Sequence, residues 1–226
     1  MTSASPWSYL IVNADDYGYF NCVSRGILDS ARHGIVTATG ILANSPHFAE
    51  HVGWLKDNTI LDFGVHLNIT DQVPLTASIR NGLSRWGGSF PGKYAIVKAL
   101  LSGTITTADV RSEWRAQIER CLDEGLEIQF LNSHEHIHML PSLFSAVQGL
   151  AQEYHIPHVR LSSSEILRNL TIGALVRDTL IHLMNILNRP RLANPAPRFL
   201  GMGESGKLGI EYLSRCLRNL KPGQVY

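Results

Sequence analysis

Ser133-His134-Glu135-His136-Ile137-His138-Met139-Leu140-Pro141 sets three histidines on alternate residues between an apolar run and a proline. The run before it, Ile128, Phe130 and Leu131, reads as a short buried strand, and Pro141 suits the first turn of a following helix. The histidines therefore stand where a strand ends. Spacing leaves two geometries open. In an extended segment all three rings share a face, whereas in a helix only His134 and His138 align. The extended geometry is the preferred one. A polar loop that happens to carry histidines is the plain alternative, and three imidazoles within five residues argue against it.

Outward from this stretch the chain alternates strand-like and helix-like pieces. Tyr9 to Asn13 is an apolar run that ends in the acidic turn Ala14-Asp15-Asp16-Tyr17-Gly18. From about Asn21 to His33, Val23, Ile27, Leu28 and Ala31 recur at helical spacing, and Gly34 falls where a left-handed C-terminal cap belongs. Ile35 to Ala43 reads as a strand, Phe48 to Leu55 as a helix, and Leu61 to Leu67 as a third strand carrying Gly64-Val65-His66. Residues 70–104 are irregular, with Trp86-Gly87-Gly88-Ser89-Phe90-Pro91 at their centre, and are expected to form a long loop insertion with one helix near Tyr94 to Leu101.

Thr107-Ala108-Asp109 opens a helix whose stripe is Val110, Trp114, Ile118, Cys121 and Leu122, and which Gly125 ends. After the histidines come a helix near Ser142 to Tyr154, a strand at Val159 to Leu161 and a helical region from Thr171 to Leu187. A Pro-rich connection then leads to Phe199-Leu200 and a last helix near Lys207 to Leu220. Six to seven strand-helix units imply an α/β protein with a mostly parallel sheet, and suggest a TIM-like (β/α) barrel, incomplete or distorted, more than an open sheet.

A chain of 226 residues with 44% hydrophobic and 17% charged residues can bury a sizeable core, read here as a single domain over 1–226. The net charge is +1, with no block of like charges, so no electrostatic footprint for nucleic acid is present and a small or neutral substrate fits better. Cys22, Cys121 and Cys216 lie far apart and form no CxxC pair, which suits reduced thiols. No apolar run reaches transmembrane length and the first residues lack a leader pattern. These features together suggest the cytoplasm.

The functional reading rests on where the polar residues fall. Asp15-Asp16 ends the first strand, His66 the third and His134 the fourth, and in parallel α/β folds the carboxyl ends of strands commonly carry the active site. Two imidazoles and a carboxylate converging there make a three-ligand metal site with open positions, a catalytic pattern. The aspartates alone could equally cap the next helix. His66 alone is weak evidence.

Leu10-Ile11-Val12-Asn13-Ala14-Asp15-Asp16-Tyr17-Gly18, Gly64-Val65-His66-Leu67-Asn68-Ile69-Thr70 and the histidine stretch, in that order and spacing, resemble the YdjC-like carbohydrate deacetylases. The resemblance is close over residues 9–165. It implies a (β/α) barrel, a divalent cation (Mg2+ or Zn2+) and removal of an N-acetyl group from an amino sugar or N-acetylated oligosaccharide by metal-activated water. Asp16, His66 and His134 match the family's metal ligands, and Asp15 its general base. Trp86, Tyr17 and Asn68 are the expected sugar-contacting residues. An N-acetylated sugar is thus the expected partner, and a homo-oligomer is compatible with the sequence.

Departures accompany the resemblance. The family usually carries Asp where Asn132 stands and Phe where Tyr17 stands; both departures are tolerable, though a lost carboxylate could reorient a histidine. It also typically continues into a His-Pro motif bearing a candidate catalytic acid, which this sequence lacks. Either the sequence is truncated, the preferred reading, or His136 or His138 supplies the proton. The alternatives are a sugar-binding or scaffold protein that keeps the metal site with little turnover, and a metal-dependent hydrolase of another amide.

Overall fold

The computed structural model describes residues 6–56, 60–164, 171–204 and 208–226. It divides into two compact units, Val12–Val159 and Met1–Ile11 together with Arg160–Tyr226.

In the larger unit, β1 (Asn13–Tyr17), β2 (Ala38–Ile41), β3 (Asp62–Leu67), β4 (Ile128–Ser133) and β5 (His158–Val159) form one parallel sheet in the order β1-β2-β3-β4-β5. Parallel neighbours require crossover connections, and helices supply them: α1 (Asn21–His33), α2 (Phe48–Leu55), α5 (Thr107–Asp123) and α6 (Pro141–Glu153). The strands' C-terminal ends thus share one edge.

α1 and α2 have the bounds expected from the sequence. α1 buries Ile27, Leu28 and Ala31. Gly34 is not left-handed, with φ −119°; glycine is needed because a Cβ would lie 2.7 Å from the Ser30 carbonyl oxygen. β4 brings Phe130 against Gly64 of β3, where a Cβ would collide with the aromatic ring.

The insertion is more ordered than expected. It holds α3 (Ala77–Gly82), a 3-10 turn at Ser84–Trp86 and α4 (Lys93–Leu101). α5 begins with a capping box in which Thr106 Oγ1 accepts from the Asp109 N–H at 3.1 Å and Asp109 Oδ2 accepts from the Thr106 N–H at 2.9 Å. Besides Val110, Trp114, Ile118 and Cys121, α5 buries Glu113 and Gln117. Glu113 accepts from the N–H groups of Leu75 and Thr76 at 2.9 and 2.8 Å, and Gln117 exchanges hydrogen bonds with the Asn68 backbone at 2.8 and 2.7 Å. Buried polar groups need such partners. Here they bind the start of the insertion to the helix.

In the smaller unit, Tyr9 pairs in parallel with Val225: the Tyr9 N–H donates to Gln224 O at 3.0 Å and the Tyr226 N–H to Tyr9 O at 2.9 Å. This corrects the expected first strand, since Tyr9 to Ile11 pairs here while β1 starts at Asn13. Phe199-Leu200 forms no strand. α7 (Ile172–Asn188) buries Asp178, Asn185 and Asn188 and exposes Ile172, Val176, Leu183 and Ile186; α8 (Ile210–Arg218) follows. Lys207, in the expected last helix, lies outside the described residues. No described helix is long and apolar enough to cross a membrane.

Candidate metal centre

β1 runs through the acidic pair rather than ending before it. Its register with β2 shifts between Ala14 and Tyr17, and Asp16 sits in that irregularity with φ 68°. Consecutive strand residues normally face opposite ways, and a bulge re-aims one of them. Both carboxylates consequently reach the same imidazole: Asp15 Oδ1 is 3.5 Å from His66 Nδ1, and Asp16 Oδ1 is 3.2 Å from His66 Nε2. Neither aspartate caps α1, whose N-cap is Phe20 with no side-chain bond.

β2 lies between β1 and β3, and Gly40 makes the approach of Asp15 to His66 feasible. A Cβ there would lie 2.9 Å from Asp15 Oδ1 and 3.2 Å from His66 Nδ1. A lone glycine in an apolar strand is the signal that would have marked this close approach. Gly40→Ala is expected to lower stability by roughly 1–3 kcal/mol and displace His66. Thermal melting with the ring signals of His66 checks this, and an unshifted ring in a fully stable variant contradicts it.

His66 pairs with Asn132 across β3 and β4. The Asn132 carbonyl oxygen lies 2.6 Å from His66 Nδ1, while its amide donates to Asp15 Oδ1 at 2.8 Å; Asn13 Nδ2 donates to the same oxygen at 2.7 Å. A carboxylate only accepts, which fixes the amide's orientation and assigns the proton to His66 Nδ1. Nε2, facing Asp16, is left as the ligand nitrogen. Asn132 therefore orients the histidine, so the expected departure at this position does not free the ring.

His134 follows β4 directly, and its Nδ1 lies 2.8 Å from Asp16 Oδ1. The chain then turns through left-handed Glu135 (φ 53°) and His136 (φ 56°). The histidine segment is thus neither extended nor a regular helix, and only His134 of its three rings joins the cluster. His138 is fully buried, with Nδ1 2.6 Å from Ser133 Oγ and its ring stacked on Phe144.

Burial opposes the charge on Asp16, but hydrogen bonds and attraction from His134 and His66 outweigh it and hold the carboxyl well below the usual carboxylate range. For His134, burial favours the neutral ring, yet the Asp16 bond and charge raise its pKa above the ordinary imidazole value. Ligand atoms of Asp16, His66 and His134 all lie within 4.8 Å of one another. His66 is nearly buried, while the Asp16 side chain is 40% exposed, so the cluster opens on one side. One carboxylate and two imidazoles around an open face suit a catalytic divalent ion of the zinc type.

Tyr19 also lies here, its ring stacked on His134, with its hydroxyl donating to Asp71. That bond, with burial, pushes the phenol up to about 12.

A model of the YdjC-like protein family matches residues 9–226. The chain belongs to that family. Among YdjC-like relatives, "Carbohydrate deacetylase" of Geobacillus stearothermophilus is 37% identical over 150 residues, 66% of this chain and 58% of that protein. The protein of the same name from Brevibacillus brevis is 32% identical over 148 residues, 66% of this chain and 57% of the relative. The chain thus covers less than two thirds of either relative. A crystal structure of an Enterococcus faecalis protein, provisionally described as a cellobiose-phosphate cleavage protein, superposes with a TM-score of 0.62 at 25% identity, covering 89% of this chain and 85% of that one.

Two residues expected to touch sugar take scaffold positions in this YdjC-like chain. Tyr17 is wholly buried and its hydroxyl donates to His51 O at 2.8 Å. Asn68 is equally buried; its oxygen accepts from the Thr70 and Asp71 N–H groups at 2.9 and 3.1 Å, and its amide donates to Asp71 O at 2.8 Å. Neither has a surface to offer a substrate. Trp86 is half-buried with the Arg85 guanidinium 3.6 Å from its ring centroid, Phe90 is buried, and Tyr94 is exposed.

A second group, His47, Glu50 and His51, has ligand-type atoms within 4.8 Å, but both His51 nitrogens already face protein partners, Ser24 Oγ at 2.9 Å and Asn21 Oδ1 at 2.7 Å. Its burial, the largest influence on its pKa, favours the neutral ring. This group is a packing cluster of α1 and α2.

Proposed function

We propose that this chain hydrolyses the N-acetyl group of an amino sugar or N-acetylated oligosaccharide, with Asp16, His66 and His134 holding a divalent ion and Asp15 as general base. The observation that carries this reading is the meeting of one carboxylate and two imidazoles from three strand ends at a partly exposed face. It is supported by membership of a family whose relatives carry the name carbohydrate deacetylase. The sequential, unreversed order of five parallel strands also supports the incomplete (β/α) barrel expected of the fold.

A bound divalent ion supplies Lewis acidity: it polarises a carbonyl oxygen and lowers the pKa of water from about 16 towards about 7. The protein's residues supply the rest. Asn132 fixes the His66 ring, and Asn13 and Asn132 hold Asp15 in place. Asp15 takes the proton of the attacking water as its oxygen bonds the acetyl carbon. The C–N bond then breaks, and a protonated imidazole gives the departing nitrogen its proton. Of the two candidates in the histidine segment, half-buried His136 has access that buried His138 lacks. Acetate and a free amine leave.

The test is acetate release from an N-acetylated disaccharide by the zinc-loaded chain, with Asp16→Ala as control. Release that vanishes in the control is expected. Sugar binding with no acetate from any N-acetylated sugar would overturn the enzyme reading in favour of a binding protein.

Trp86 is proposed to stack on the sugar from the insertion. Trp86→Ala should then lower kcat/KM for an N-acetylated disaccharide by up to roughly tenfold while sparing a small acetamide. An equal loss on both substrates, or a large fall in melting temperature, assigns Trp86 to packing.

A further inference from the structure

His134 is held from two sides, by Tyr19, which is not among the candidate ligands, and by its fellow ligand His66. Tyr19 lays its ring on the imidazole with centroids 5.9 Å apart and 25° between planes, while His66 meets the same imidazole edge-on at 5.5 Å and 81°. The Tyr19 hydroxyl donates to Asp71 Oδ2. Asp71 is itself immobilised. Its Oδ1 accepts from the Gln72 N–H at 2.8 Å, its N–H donates to Asn68 Oδ1 at 3.1 Å, and its carbonyl accepts from Asn68 and Asn44 amides at 2.8 and 3.1 Å. Further along the same insertion, Lys93 at the start of α4 pairs with Glu135, the residue after His134, at 2.8 Å.

The torsion that swings an imidazole about its Cβ–Cγ bond has a broad profile, so a histidine at a strand end needs lateral support to present one nitrogen in one direction. The tyrosine face on one side and the His66 edge on the other leave His134 a single plane, with Nδ1 towards Asp16.

We propose that Tyr19, anchored by Asp71, is a positioning residue that fixes the His134 ring as a metal ligand, so that the 70–104 insertion braces the metal centre. The proposal rests on the metal reading above. Partners that orient a ligand typically govern about 10- to 100-fold in metal affinity.

Calorimetric titration with zinc separates the two. Tyr19→Leu, which loses ring and anchor, should weaken zinc about 10- to 100-fold, with kcat lowered and KM for the sugar little changed. Tyr19→Phe keeps the ring and loses only the Asp71 bond, so a smaller weakening, about threefold or more, is expected at an unchanged melting temperature. If Tyr19→Leu fails to fold, Tyr19→Phe decides. Wild-type zinc affinity in Tyr19→Phe, alongside lost binding in Asp16→Ala, overturns the positioning role and leaves the metal site standing. Zinc binding unaffected by Asp16→Ala overturns both.

Discussion

Asp16→Ala is expected to lose the metal and with it essentially all turnover. Asp16 is the carboxylate between the two imidazoles, 3.2 Å from His66 Nε2 and 2.8 Å from His134 Nδ1, and its removal leaves two nitrogens with no anionic ligand. The variant also carries a pH signature in the metal-free protein. The depressed pKa of Asp16 contributes stability that is present above 3.8 and is lost as pH falls through its folded value. The raised pKa of His134 contributes stability present below 6.5 and lost as pH rises through its folded value. The wild type should therefore exceed Asp16→Ala in stability most clearly between 3.8 and 6.5. Melting temperatures of the two metal-free proteins across that range check it, and a constant difference contradicts the ion pair.

Asp15→Asn should do something different: keep the metal and lose roughly 10²- to 10⁴-fold in kcat, the usual share of a general base. Asparagine has the same shape, and its amide oxygen can still accept from Asn13 and Asn132, which lie 2.7 and 2.8 Å from Asp15 Oδ1. What it cannot do is take a proton from water. Metal analysis of both purified variants separates the roles, and equal metal loss in the two sinks the division of labour.

Much of this arrangement was legible before the structure. The apolar stripe of α1 marks its extent because burial of one helix face leaves a 3.6-residue period. The ligands were legible because parallel strands put their C-terminal ends on one edge, so Asp16, His66 and His134 could be read as neighbours from their places in the strand order. Where the reading failed, the cause was non-local. Tyr9 to Ile11 looked like the start of β1, but its partner lies at residues 224–226, a pairing that local periodicity does not encode. α3 is too short to carry a period, and Glu113 from α5 receives the N–H groups just before it. No glycine announces the left-handed turn at Glu135 and His136, which ends the extended geometry expected of the three histidines. Asn132 is a tolerable departure on sequence grounds; what sequence does not show is that its amide accepts from His66 and donates to Asp15 at once.

The central claim is that the cluster of Asp16, His66 and His134 works by holding a divalent ion. The most direct measurement is hydrolysis of an N-acetylated disaccharide by the protein before chelation, after thorough chelation verified by metal analysis, and after adding back zinc or magnesium. The account predicts activity that disappears with the metal and returns as one ion per chain is restored; full activity in verified metal-free protein would contradict it.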